Sequence, residues 1–201
     1  MGSWQMVSSV EQLNQAMQPL ISAPILAVDT ETTGLNPYTS QLRLIQIAVK
    51  GQVTLIIDCF QVLPEGRAVL STLFTSGSVK VFQNAKFDLQ FLWAAGVNVS
   101  GKIFDTMLAG RLLRSSGGPR KVGLAQLTEH YLGMTLSKEE QRSDFSGNLR
   151  DSQLAYAAKD AEVLLKLREI MVGELKKYEL IEVARLEFAC IYSVASMEYT
   201  G

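Results

Sequence analysis

The stretch Ile25-Leu26-Ala27-Val28-Asp29-Thr30-Glu31 decides how the rest of this chain is read. Four apolar residues in a row, entered from Pro24, have the length and composition of a strand buried on both faces. The run ends in two acids separated by one residue. On a strand, positions i and i+2 project from the same face, so Asp29 and Glu31 stand side by side. Burying one carboxylate is costly, and burying two like charges together is worse. A divalent cation between them reverses that balance, and hard ions such as Mg²⁺ and Mn²⁺ take oxygen ligands. Taken alone, Asp-x-Glu after a strand equally describes the start of a solvated loop.

The flanking sequence supplies a sheet and helices for this strand. Upstream, Ser8 with Glu11 three residues on fits a capping box for a helix through Leu13 and Met17, which Pro19 is expected to end. Downstream, residues 36–40 form a polar turn around Pro37. Residues 42–49 alternate between two largely apolar faces, Gly51 makes a turn, and residues 53–57 form the partner strand. With both faces apolar, this hairpin belongs inside a covered sheet. A helix follows Pro64 through Phe74 and ends at Gly77. Residues 79–82 read as a strand, 87–95 as a helix closed by Gly96, and 105–113 as a helix with Asp105 at its N-terminus. Ser115-Ser116-Gly117-Gly118-Pro119 is a loop. Helices then dominate, over residues 124–131, 151–177 and 181–197. This order describes an α/β sheet covered by helices, without internal repeats.

Length and composition narrow the function classes. A chain of 201 residues fits one domain, and 47% hydrophobic residues suffice for a sizeable core. Lys and Arg number 19 against 20 Asp and Glu, a net charge of −1. Such a chain has no global attraction for a polyanion, so nucleic acid would have to be held by a local site or by metal ions. Cys59 and Cys190 lack metal-type spacing and read as reduced, buried thiols. No apolar run is long enough to span a bilayer, and the start resembles neither a secretory nor a myristoylation signal. The expectation is a cytoplasmic protein without a membrane partner, with an organelle left open should a targeting segment have been removed.

Two further stretches carry acids. Phe82-Gln83-Asn84-Ala85-Lys86-Phe87-Asp88 ends a strand and opens a helix. Alone, Asp88 is an ordinary first-turn acid favoured by the helix dipole, and Asn84 a turn or cap residue. Tyr156-Ala157-Ala158-Lys159-Asp160 lies in the long helix. Tyr156 and Asp160 are four apart and share a face, and Ala157 and Leu164 lie on the same side, toward the core. Alone, Asp160 is an acid paired with a surface cation. Together the three stretches place four carboxylates at three strand or helix ends.

The stretches Val28-Asp29-Thr30-Glu31-Thr32-Thr33-Gly34, Gln83-Asn84-Ala85-Lys86-Phe87-Asp88 and Tyr156-Ala157-Ala158-Lys159-Asp160 resemble the three motifs of the DEDD superfamily of 3′-5′ exonucleases. The tyrosine four residues before the last Asp resembles that superfamily's tyrosine branch. Three ordered motifs over roughly positions 25 to 170 are a far more specific signal than any one of them. The resemblance implies a ribonuclease H-like fold, a mixed five-stranded sheet flanked by helices, and a single exonuclease domain over residues 1–201. It implies two divalent metal ions, Mg²⁺ or Mn²⁺. Asp29, Glu31 and Asp160 would hold one, and Asp29 and Asp88 the other, with Asp88 acting largely through water. Such ions neutralise the scissile phosphate, activate a water and stabilise the leaving 3′ oxygen. A phenol has an ordinary pKa of about 10, so Tyr156 is a poor base at neutral pH. Its implied catalytic role is to orient the attacking water.

Thr30, Leu35, Gln83 and Asn84 match positions that contact substrate. Leu35 would wedge against a base, and Gln83 and Asn84 would hydrogen-bond sugar or phosphate, with local packing and capping as the alternatives. Arg111, Arg114, Arg120 and Lys121 surround the glycine loop, where they either meet backbone phosphates or form a solvated loop. His130 lies too far before Asp160 for the histidine branch and reads as structural or surface.

Two subfamilies compete on this resemblance. The segment Tyr156 through Glu162 and the chain from Leu186 to Gly201 resemble the proofreading domain of family A DNA polymerases. That implies a single-stranded DNA 3′ end as substrate and a covalent polymerase domain as partner, with residues 181–201 as the connecting segment. Gln141-Arg142-Ser143-Asp144-Phe145 resembles ribonuclease D and Werner-type exonucleases and keeps an RNA 3′ end as the alternative. The helical RNA-binding repeats of ribonuclease D do not occur here, which tilts the expectation toward DNA. A non-catalytic binding module would be expected to have lost an acidic ligand, whereas all four acids and the tyrosine are present.

Overall fold

The computed structural model describes residues 3–136 and 143–201. In chain order the elements are β1 (Trp4–Val7), α1 (Val10–Ile21), β2 (Ile25–Thr32), β3 (Leu42–Ala48), β4 (Thr54–Asp58), α2 (Cys59–Val62), α3 (Arg67–Phe74) and β5 (Val79–Phe82). They continue with α4 (Ala85–Ala94), β6 (Ile103–Asp105), α5 (Thr106–Leu112), a 3-10 turn (Leu113–Ser116), α6 (Leu124–Leu132), α7 (Asp151–Lys177) and α8 (Ile181–Thr200).

The strands form one mixed sheet in the order β1-β4-β3-β2-β5-β6. The β2–β3–β4 hairpins are antiparallel, and β2, β5 and β6 run parallel. Leu26 and Val28 of β2 join Ile45, Ile47 and Phe82 in the larger core, under α1, α3, α4 and α8. Ala27 between them joins Ala48, Val81, Ala161 and Leu164 in the core under α5, α6 and α7. Every residue of β3 and β4 is buried, as two apolar faces require. The mixed α/β sheet is the expected one, and β1 adds a sixth strand at its edge by pairing in parallel with β4.

Several local readings change. The cap of α1 is Ser9, not Ser8. Ser9 is extended and its Oγ accepts from Gln12 N at 3.2 Å, while Gln12 Oε1 accepts from Ser8 N at 2.8 Å. Pro19 lies inside α1, which continues to Ile21 because Leu20 is buried in the core beside Leu13 and Met17. Cys59 is buried as expected, but Cys190, on α8, is exposed. Helix α4 starts two residues earlier than its pattern indicates, since the turn at Asn84 aims the chain into it. Strands β1 and β6 have no counterpart in the sequence pattern. Within β5, Lys80 is fully buried, its Nζ donating to the carbonyls of Ser76, Ser78 and Ser100 at 2.8–3.0 Å. Among the described residues, no helix is long and apolar enough to cross a membrane.

Candidate active site

The acids gather outside the carboxyl ends of the parallel strands, the general location of sites on open α/β sheets. Ala27 packs against α7, so two residues on, Asp29 and Glu31 face the same helix. Ala157, Ala158 and Ala161 are buried and small, which lets α7 lie close to the sheet with Tyr156 and Asp160 above β2. Asp88 arrives from the other side, in the first turn of α4, and is buried. Thr30, whose side chain leaves β2 on the opposite face from its two acidic neighbours, donates to Asp88 Oδ1 at 2.7 Å. One strand therefore orients carboxylates on both of its faces.

Burial and mutual repulsion dominate the electrostatics. Burial, and then the charges of Glu31, Asp88 and Asp160, push Asp29 well above the usual carboxylate range. Glu31 is pushed up to about 8 by burial and by Asp160 and Asp88. Burial lifts Asp88 to about 8 against the Thr30 hydrogen bond, and Asp160 to about 6 against a hydrogen bond from Tyr156. The Tyr156 phenol is raised by burial and by Asp160, which keeps it a neutral donor. Among the described residues, no lysine or arginine offsets these four acids.

The donor set fits hard divalent cations: every candidate ligand is a carboxylate oxygen, and Asp160 Oδ1 is buried without a hydrogen-bond partner. Among the described residues, no three His, Cys, Asp or Glu side chains are already gathered as a metal cage.

The remaining candidates separate. Leu35 is 84% exposed at the mouth of a cleft that Glu31, Phe87 and Phe145 also line. Asn84 has a left-handed backbone, φ 65°, which Asn tolerates better than most residues. Its side-chain Oδ1 is buried and unpartnered, beside a groove lined also by Lys86 and Arg111. Gln83 is engaged internally: its Nε2 donates to the Val122 carbonyl at 2.8 Å, and its Oε1 accepts from Thr106 at 2.5 Å. It braces the segment after the glycine loop, at Val122, and does not offer a free amide to substrate. Arg111, Arg114, Arg120 and Lys121 are all exposed, but only Arg111 lies beside Asn84. His130 is exposed, stacked edge-on against Tyr131.

Two contributors have a part in the site beyond the reading that the sequence supports. Asp105 caps α5 through the Met107 and Leu108 N–H groups, and also accepts from the backbone N–H groups of Asn84 and Ala85, at 3.3 and 2.7 Å. It thereby fixes the left-handed turn before Asp88; its place at the head of a helical pattern signals only the cap. The Ser143–Asp144–Phe145 segment borders the cleft, pinned by Gln153, whose Nε2 donates to Ser143 Oγ and the Asp144 carbonyl. Gln141 and Arg142 of the same motif lie outside the described residues.

An α/β sheet with acids grouped beyond the carboxyl ends of its parallel strands has the oxygen donors of a site for divalent cations. The chain belongs to the 3′-5′ exonuclease family, whose model it matches over residues 4–176. It is 32% identical to DNA polymerase I of Aquifex aeolicus, over 97% of this chain and 35% of that protein. It is 31% identical to ribonuclease D of a Shewanella species, over 86% of this chain and 44% of that one. The chain thus spans less than half the length of these relatives. Among solved structures, ribonuclease D of Escherichia coli superposes with a TM-score of 0.86 at 24% identity, over 96% of this chain and 50% of that one. The fold is accordingly ribonuclease H-like. NrnC of Brucella melitensis, bound to pGG, superposes with a TM-score of 0.85 at 25% identity, over 100% of this chain and 95% of that one.

Proposed function

We propose that this domain removes nucleoside monophosphates from the 3′ end of single-stranded DNA, as a proofreading-type exonuclease, using two divalent ions. The observation that carries the reading is the mutual repulsion of Asp29, Glu31, Asp88 and Asp160, brought together from three elements, with Asp160 Oδ1 buried and unpartnered. Asp29, Glu31 and Asp160 would hold one Mg²⁺ or Mn²⁺, and Asp29 with Asp88 the other. When bound, such ions neutralise the scissile phosphate, activate a water and stabilise the leaving oxygen.

The chain's own groups position the reactants. Tyr156 is held as a neutral donor over Asp160 and orients the attacking water. Thr30 fixes Asp88, so its side chain serves the site through that carboxylate, while its backbone lies along the cleft. Leu35, projecting at the mouth, wedges under the terminal base, a contact whose apolar area is otherwise left in water. Asn84 supplies an unpartnered amide oxygen to a sugar hydroxyl, and Arg111 beside it meets a backbone phosphate. The polymerase I relative supports a covalently attached polymerase domain as partner.

A ribonuclease D-like exoribonuclease is the second reading. The Ser143–Phe145 segment, part of the stretch that resembles ribonuclease D, borders the cleft beside Glu31. Digestion of matched 5′-labelled DNA and RNA with Mg²⁺, Mn²⁺ or chelator separates the two. A DNA ladder shortening from the 3′ end, abolished by chelator, supports proofreading-type action. Faster RNA shortening replaces it with the second reading, and chelator-resistant cleavage contradicts both.

A further inference from the structure

Gln46 sits in the middle of β3, fully buried, and neither its Oε1 nor its Nε2 has a hydrogen-bond partner. Buried amides are nearly always paired, so an orphan at both atoms calls for an explanation. The register of the sheet provides one. Gln46 stands directly opposite Asp29 on β2 and Ile56 on β4. Directly opposed residues of antiparallel strands project on the same face, with Cβ atoms about 4.5–5.5 Å apart. Along β3 the neighbours on that face are Leu44 and Ala48. Above them, Ala158 packs with Leu44 and Ile56, and Ala161 packs with Ala48. Of the two residues facing Gln46 across the sheet, one is aliphatic and the other is the carboxylate of Asp29.

An apolar side chain at position 46 would complete these surroundings without leaving an orphaned amide, so packing does not account for a glutamine. We propose that Gln46 is a positioning residue for Asp29: when a divalent cation is bound, its Nε2–H, unpartnered in the metal-free protein, donates to the Asp29 carboxylate and fixes the orientation in which that carboxylate meets the ion. The inference rests on the reading of Asp29 as a metal ligand. A neutral amide suits this role because it favours the ionised carboxylate and leaves its charge for the cation, whereas Lys or Arg in its place would compete with the ion.

Gln46→Met keeps the length and bulk of the side chain and removes the amide. Two quantities are measured, Mn²⁺ affinity by calorimetry and the melting temperature of the metal-free protein. The expected result is roughly 10–100-fold weaker Mn²⁺ binding, the usual effect of losing a group that orients a ligand. The metal-free melting temperature stays level or rises, because a buried orphan amide has gone. Wild-type affinity with a lowered melting temperature describes a merely structural residue and overturns the proposal. Should the variant not fold, the wild-type protein still decides. The ¹⁵N side-chain amide signal of Gln46 moves on Mg²⁺ addition and stays fixed in Asp29→Asn; a signal that ignores Mg²⁺ in wild type overturns the proposal. Asp29→Asn also separates the two layers. If it binds Mn²⁺ like wild type, the metal reading itself fails. If it loses Mn²⁺ while Gln46→Met does not, only the positioning role fails.

Discussion

The Thr30 hydroxyl donates to Asp88 Oδ1 at 2.7 Å, joining two acidic motifs that lie 58 residues apart in the chain. That bond favours the charged form of an acid that burial, even against it, lifts to about 8. Thr30→Val keeps the shape and removes the donor. Asp88 then ionises only at higher pH, so the ascending limb of the pH–rate profile moves upward, and stability changes by only about 1 kcal/mol. Exonuclease rates at fixed Mg²⁺ across pH 6 to about 9 check this. An unmoved limb means that the hydroxyl does not govern Asp88.

The raised acids also make stability depend on pH. Glu31 and Asp88 titrate at about 8 and Asp160 at about 6 when folded, against ordinary values of 4.5, 3.8 and 3.8. Between those limits the folded protein holds more protons than the unfolded chain. The stability these groups contribute is therefore present at low pH and lost as pH rises through the folded values. In chelator, the melting temperature should fall steadily from about pH 5 to about pH 8.5, by about 2–4 °C for each kcal/mol lost. Mn²⁺ should recover it at the upper end, because a cation stabilises the ionised acids. A flat profile in chelator would contradict the clustering.

Tyr156→Phe removes a phenol held beside Asp160 and little else. Hydrolysis should slow by roughly 10–100-fold, the range for a group that orients a reactant or ligand. Mn²⁺ affinity should stay near wild type, since the proposed metal ligands are all carboxylates. Rate and calorimetry on the same preparation test both halves; an unchanged rate would leave the hydroxyl idle.

Lys80 offers a prediction about the fold alone. Its Nζ serves three carbonyls from inside the sheet. Lys80→Met fits the same channel but strands those acceptors. Denaturant unfolding should show a loss of about 2–3 kcal/mol, the scale for losing a charged hydrogen-bonding group. Wild-type stability would mean that water replaces the ammonium.

The parts of this protein legible in its sequence are those in which one signal suffices. The apolar run entering Asp29 marks β2, alternation marks β3 and β4, and helical periodicity marks α7 with the bounds it has. The four acids and Tyr156 stand out because their order and spacing match a known set of motifs. The rest depends on tertiary partners. β1 and β6, four and three residues long, are too short for a period and exist through parallel pairing with β4 and β5. Gln83 has the composition of a substrate contact, and only the positions of Val122 and Thr106 reveal that both ends of its amide are used. Asp105 is visible as a cap, but its hold on Asn84 and Ala85 crosses from one strand end to the next. The setting of Gln46 needs the strand register, which no local pattern encodes.

If the acids around Asp29 form the exonuclease centre, the most direct test is turnover of 5′-labelled single-stranded DNA by Asp29→Ala, beside wild type in Mg²⁺ and in Mn²⁺. The predicted result is loss of 3′-end shortening by at least about 10²–10³-fold, the scale for removing a principal electrostatic element of a site, with an unchanged far-ultraviolet spectrum. Near-normal shortening by a folded Asp29→Ala protein would contradict that assignment.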